Sequence, residues 1–259
     1  MTRSAKLLTF TVVGAFALAS CGGGDTGSTG DTQTQTAPPA AQAKPATATI
    51  QGLVTYTGAP VKAGRIRMSA DAYCETQNKE PVYDESVIVG PNNSLENVFV
   101  YVKAGLEGQS FPVPTEPVVF DQLNCTYHPH IFGIQANQEL QILNSDATLH
   151  NVHAMPVNSP EFNVGMPSQG MKITKKFKNP EVMVHIKCEV HPWMSAYAGV
   201  LDHPYFAVAK TGGAFKLPTL PAGTYTIEAW HEKLGALTQD VTLGDGETKD
   251  ITFDFRSEI

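Results

Sequence analysis

Residues 182–188 read as a strand with two unlike faces. Val182, Val184, Ile186 and Cys188 fall on one side, Met183, His185 and Lys187 on the other. The more uniformly apolar side is the one that faces a core, since successive side chains of a strand point to opposite faces. Cys188 is therefore expected inside, at the end of its strand, with His185 outside. His191 and Met194 follow at the spacing Cys-x2-His-x2-Met, so a tight loop can return both to the cysteine. A fold that gathers a thiol, an imidazole and a thioether at one core edge needs a further strong donor from a distant strand.

The chain supplies one. From 72 to 204 it runs as short alternating segments broken by turn residues, among them Val98, Val100 and Val102, then Ile131, Phe132 and Ile134, then Leu140 and Ile142. No stretch carries helical periodicity, so the expectation is an all-β domain. Next come Asn144-x-Asp146 and His150-Asn151-Val152-His153. Three residues apart on an extended chain, His150 and His153 point to opposite faces. Only one of the two is therefore expected to reach a given metal. The resemblance of this His-Asn motif to that of the plastocyanin- and amicyanin-like cupredoxins implies His150, with His153 outward or beside a ligand. A thiolate, two imidazoles and a thioether form the donor set of a mononuclear copper ion, trigonal Cys/His2 with a weak axial Met. Structural zinc usually takes four strong N or S donors, and no Cys-x2-Cys pair is present. Binuclear copper would need two cysteines in the loop, which has one.

Asn144-x-Asp146 followed by His150-Asn151, together with Cys188-x2-His191-Pro192-Trp193-Met194, resembles the plastocyanin- and amicyanin-like cupredoxins over roughly half the chain. The resemblance implies a Greek-key β-sandwich over 72–204 holding one type 1 copper ion through His150, Cys188, His191 and Met194. Asn151, beside the first histidine, is expected to tie the His150 strand to the Cys188 loop. His191 is expected at the surface as the electron exit, with Pro192 and Trp193 forming a docking patch.

A second resemblance brackets the first. Ile50-x-Gly52-x-Val54 with Gly58-x-Pro60-Val61, and Gly213-x-Phe215-x-Leu217 with Leu220-Pro221-x-Gly223-x-Tyr225, resemble two parts of a carboxypeptidase-regulatory-like, prealbumin-like β-sandwich. It implies one small sandwich made of 48–71 plus 205–259, with 72–204 inserted in it or packed beside it. A second short strand is expected at Arg65-Ile66-Arg67-Met68.

Arg3 and Lys6 precede a mostly apolar run at 7–19. It is too short to span a bilayer comfortably and has the length of a signal-peptide core. Leu18-Ala19-Ser20-Cys21 resembles the bacterial lipobox, which implies removal of 1–20 and a lipid on Cys21. Residues 21–47, rich in Gly, Thr, Gln, Ala and Pro, read as a flexible tether. The expected location is the bacterial cell envelope, periplasmic or outer-surface side, with the membrane reached through lipid. Net charge is −7, and setting aside Arg3 and Lys6 makes it −9. That balance argues against nucleic acid, which needs a basic footprint.

With Cys21 and Cys188 assigned, Cys74 and Cys125 remain as an even pair in an exported protein. A disulfide between them is expected, contributing about 2–4 kcal/mol. The rival use of Cys125, a second metal site with His128 and His130, has suitable donor types. His203 and His231 are expected to be structural or exposed. The reading that follows is a one-electron carrier between a donor and an acceptor redox protein. It is not an enzyme, since no nucleophile–base pair or open metal position is visible. The rivals are a copper-delivery lipoprotein and a structural cell-surface protein with a vestigial site.

Overall fold

Alternating apolar side chains make strands of almost every regular segment between residues 45 and 256, which are those described by the computed structural model. The expected leader, the expected lipidation site Cys21 and the expected tether up to residue 44 lie outside the described residues. In chain order the elements are β1 (Thr49–Tyr56), the short helix α1 (Ala72–Gln77), β2 (Phe99–Ala104), β3 (Val118–Leu123), β4 (Thr126–His128), β5 (Ile131–Gln135), β6 (Leu140–Asn144) and β7 (His150–Met155). They continue as β8 (Phe162–Met166), β9 (Met171–Lys175), β10 (Glu181–Lys187), β11 (Ser195–Leu201), β12 (Phe206–Val208), β13 (Ala214–Lys216), β14 (Gly223–His231), β15 (Gly235–Leu243) and β16 (Thr248–Phe255). The fold class is all-β, as expected.

Two sheets, ordered β5-β11-β10-β7-β8 and β4-β3-β6-β9, are built entirely from 118–201. Phe120, Ile142, Val152, Val184, Ile186 and Ala196 from both sheets share one buried cluster, which also holds Cys188 and Met194. The chain crosses repeatedly between these sheets, so β10 and β7 become neighbours although some thirty residues separate them. That crossing brings His150 to the Cys188 loop.

The other two sheets are β12-β2-β14-β15 and β13-β1-β16. β1 lies parallel to β16 from Thr49 opposite Thr248 to Tyr56 opposite Phe255. The first and last β segments therefore share a sheet, and Ile50, Val54, Phe253 and Phe255 share a core with Val100, Tyr225 and Ile227. Gly52 is required there, because a Cβ would sit 1.7 Å from the Ile251 carbonyl oxygen.

Three local expectations are corrected. β2 falls within 72–204, yet it pairs with β14 and β12 and its Val100 and Val102 fill the second core. Periodicity gives a strand its faces but not its partner. Residues 65–68 form no strand; only Arg65 bridges to Tyr83. Val182 does not continue the face of Val184, because the pairing of β10 with β11 shifts register between Glu181 and Val184. It packs instead with Met183 against Phe99 and Ile131.

Candidate metal centre

β7 presents His150, Val152 and Ala154 inward and His153 outward. β10 ends on the inward side with Val184, Ile186 and then Cys188. The loop after it turns tightly: the Cys188 N–H donates to the Met194 carbonyl at 3.1 Å and the Met194 N–H to that of His191 at 2.9 Å. His150, Cys188, His191 and Met194 are all 2 % exposed or less. The donor atoms of His150, Cys188 and His191 lie within 4.8 Å of one another. The two Nδ1 atoms face each other at 2.8 Å, and Cys188 Sγ stands 3.9 Å from His191 Nδ1.

Both imidazoles are held from behind by a carboxylate. Nε2 of His150 donates to Asp146 Oδ2 at 2.9 Å, and Nε2 of His191 donates to Asp71 Oδ2 at 3.1 Å. A partner on the far nitrogen fixes ring orientation and tautomer and makes the near nitrogen a better donor. Both Nδ1 atoms are thereby turned toward Cys188. Asp146, itself buried, also accepts the N–H groups of Asn124 and Cys125 at 2.8 Å each. Asp71 is the N-cap of α1, its Oδ1 accepting from the Tyr73 and Cys74 N–H groups.

Electrostatics favour the thiolate. Burial pushes the Cys188 thiol up, but hydrogen bonds from His150 and His191 outweigh it and bring the pKa down to about 6. Burial pulls His150 down, while Asp146 and the Cys188 sulfur raise it to about 9. The His191 N–H donates to Cys188 Sγ at 3.3 Å, and the Asn151 N–H adds a second hydrogen bond that favours the thiolate. Thiolate is the form that binds metal. A soft thiolate, two converging imidazole nitrogens and a buried thioether in the same apolar cluster are the donors copper selects, so the residues present fit that ion.

The other sequence expectations find their places. Asn151 Oδ1 accepts the Glu189 N–H at 2.5 Å, tying β7 to the loop. His153 points away from the donor cluster and lies between Glu161 and Glu189. Cys74 and Cys125 form the disulfide. That removes the second-site reading for Cys125, and His130 is instead engaged by Glu232 and the Ser195 carbonyl. His203 and His231 are buried, at 6 % and 1 % exposure.

Two placements differ from expectation. His191 is 2 % exposed, because Asp71 and the disulfide cover its Nε2 edge and Cys74 Sγ comes within 3.6 Å. It is not a surface electron exit. His185 faces away from the core of Val184 and Ile186 as expected, but it is half-buried there rather than exposed, stacked on Tyr197 and hydrogen bonded to Ser195 Oγ at 2.9 Å. Sequence reasoning missed the roles of Asp71 and Asp146. The quoted Asn144-x-Asp146 contained one of them, and Asp71 three residues before Cys74 has the form of an N-cap, the signal that could have found the other.

No protein-family model matches the chain, and no curated protein matches it. Several solved structures are similar to parts of it. A copper-containing nitrite reductase from Thermus scotoductus SA-01 is 18% identical, with 37% of this chain and 26% of that one covered and a TM-score of 0.31. The chain thus spans about a quarter of that enzyme's length. A variant of amicyanin in its Cu(I) form is 19% identical over 32% of this chain and 81% of its own, at a TM-score of 0.29. A purple cupredoxin from Nitrosopumilus maritimus is 20% identical over 32% of this chain and 97% of its own, at 0.28.

Proposed function

We propose that the chain is a mononuclear copper protein that passes single electrons between redox partners. The observation that carries this reading is the convergence of His150 Nδ1, His191 Nδ1 and Cys188 Sγ inside a buried core edge, with a carboxylate behind each imidazole. Copper bound there supplies one-electron exchange, and the donor set suits both of its oxidation states. His150, His191 and Cys188 would hold it, with the buried thioether of Met194 as a further, weaker donor. Asp146 and Asp71 keep the two rings aimed, and the N–H groups of His191 and Asn151 stabilise negative charge on the sulfur. All four donors are enclosed, which favours outer-sphere exchange over turnover of a bound substrate.

With His191 covered, contact with a partner falls to the exposed loop residues Val190 and Pro192 and to half-buried Trp193, whose indole donates to the Cys125 carbonyl. Small, transient contact is usual for redox partners. We further propose that Cys21 carries a lipid and that the tether holds the folded part on the cell-envelope side of a bacterial membrane.

Loading the protein with copper and recording its visible spectrum tests the reading. An intense thiolate-to-copper band and a reversible one-electron wave are expected, and Cys188→Ser abolishes the band. A copper-loaded wild-type protein without the band would sink the reading.

A further inference from the structure

Each half of the Cys74–Cys125 disulfide is tied through one aspartate to one of the two inner histidines. Asp71 accepts from the Cys74 N–H at 3.1 Å and from His191 Nε2 at 3.1 Å. Asp146 accepts from the Cys125 N–H at 2.8 Å and from His150 Nε2 at 2.9 Å. The donor atoms of Asp71, Cys74 and His191 lie within 4.8 Å of one another, and so do those of Cys125, Asp146 and His150. Two sulfurs and two carboxylates thus stand on the outer side of the same imidazoles whose Nδ1 atoms face Cys188. As a disulfide the sulfurs are poor donors. As thiolates they are soft ones, of the kind that selects Cu(I).

We propose that, with the disulfide reduced, Cys74 and Cys125 form an outer site for Cu(I), flanked by Asp71 and Asp146, through which the metal reaches the inner centre. Its role as an entry rests on the copper reading of the Cys188 centre; its existence as a site does not. The opening step is thiol–disulfide exchange with a dithiol. One thiolate of the dithiol attacks a cystine sulfur, the S–S bond breaks and a mixed disulfide forms. The second thiolate then displaces the remaining cysteine and closes the reagent's own disulfide. Two electrons and two protons pass to the cystine, and each new thiol releases its proton to solvent as it binds metal.

Both sulfurs are buried, Cys74 on the inner side of α1 itself, so exchange requires the segment around that short helix to open. Its Ala72, Glu75, Thr76 and Gln77 face solvent, and between residues 57 and 98 the chain is held by isolated bridges rather than a ladder. A segment without ladder pairing opens locally more readily than the sheets do. The reverse exchange, in which the two thiols reduce the reagent's own disulfide back to the dithiol, re-forms the bond and closes the outer side.

The test is a titration of the full chain with Cu(I), supplied as its acetonitrile complex against a bathocuproine competitor. It is run before and after treatment with dithiothreitol, which is removed anaerobically. Reduction is expected to add two thiols and one bound equivalent of Cu(I). The Cys74→Ser, Cys125→Ser double variant gains neither. Cys188→Ser shows the same gain in bound Cu(I), so failure of the inner-centre reading, seen in the visible spectrum of the Cu(II)-loaded wild type, stays separate from failure of this one. Four results each overturn the proposal: unchanged stoichiometry on reduction, a gain that survives in the double variant, a bond the dithiol does not open, or loss of the near-ultraviolet circular dichroism on reduction.

Discussion

Two carboxylates, Asp71 and Asp146, decide where the imidazoles of His191 and His150 point. Replacing either with asparagine keeps an acceptor but removes its charge. Copper affinity is expected to fall by about 10–100-fold, the usual penalty for losing such a partner, while the visible band persists; competition with a chelator measures it. The two histidines of β7 separate more sharply. His150 is buried and aimed at the cluster, whereas His153 lies between two glutamates on the other face. His150→Ala is expected to remove the colour and His153→Ala to leave it nearly intact. The opposite pair of spectra would show that His153 is the ligand.

Neighbouring strands β5 and β11 place Gly133 directly opposite Gly199. The bare patch they form receives the rings of Phe99 from β2 and Phe206 from β12, themselves 5.7 Å apart. A Cβ at residue 199 would lie 2.3 Å from the Phe99 ring. That ring is fully buried, with Tyr101 stacked beside it, so it has nowhere to retreat. Gly199→Ala is expected to cost about 1–3 kcal/mol, the range for overpacking a filled core. Urea unfolding checks this, and an unchanged midpoint would mean that the patch is looser than described. The same contact explains why β2 left the segment assigned to it. Its Phe99 must lie on the sheet of β5 and β11 while Val100 and Val102 fill the other core.

Among the described residues one ionic link runs between the two sandwiches. His130, in the turn before β5, is bonded to Glu232, just beyond β14, and to the Ser195 carbonyl. Two acceptors require both ring nitrogens to carry protons. Burial pulls the His130 pKa down, but the hydrogen bond and charge of Glu232 win and raise it. A pKa raised on folding contributes stability that is complete below the unfolded value of about 6.5 and fades as pH climbs through the folded one. Glu232→Gln is therefore expected to lower Tm more at pH 5.5 than at pH 9, which thermal melts at the two values measure. An equal loss at both would remove the ion pair from the account.

The inner face of β10 beyond its bulge, the loop spacing from Cys188 to Met194 and the opposite facing of His150 and His153 were legible in the chain. Each depends on strand periodicity or on a few covalently close residues. The Cys74–Cys125 pairing was legible too, by elimination among four cysteines. The enclosure of His191 was not, because it is set by α1, whose cysteine is anchored 51 residues away. No local pattern encodes which surface a short, irregular segment covers. Nor could alternation assign β2 to its sheet, since a strand apolar on both faces satisfies two cores equally well. Local chemistry chose the donors; packing between distant segments buried them, aimed them and closed off the edge expected to meet solvent.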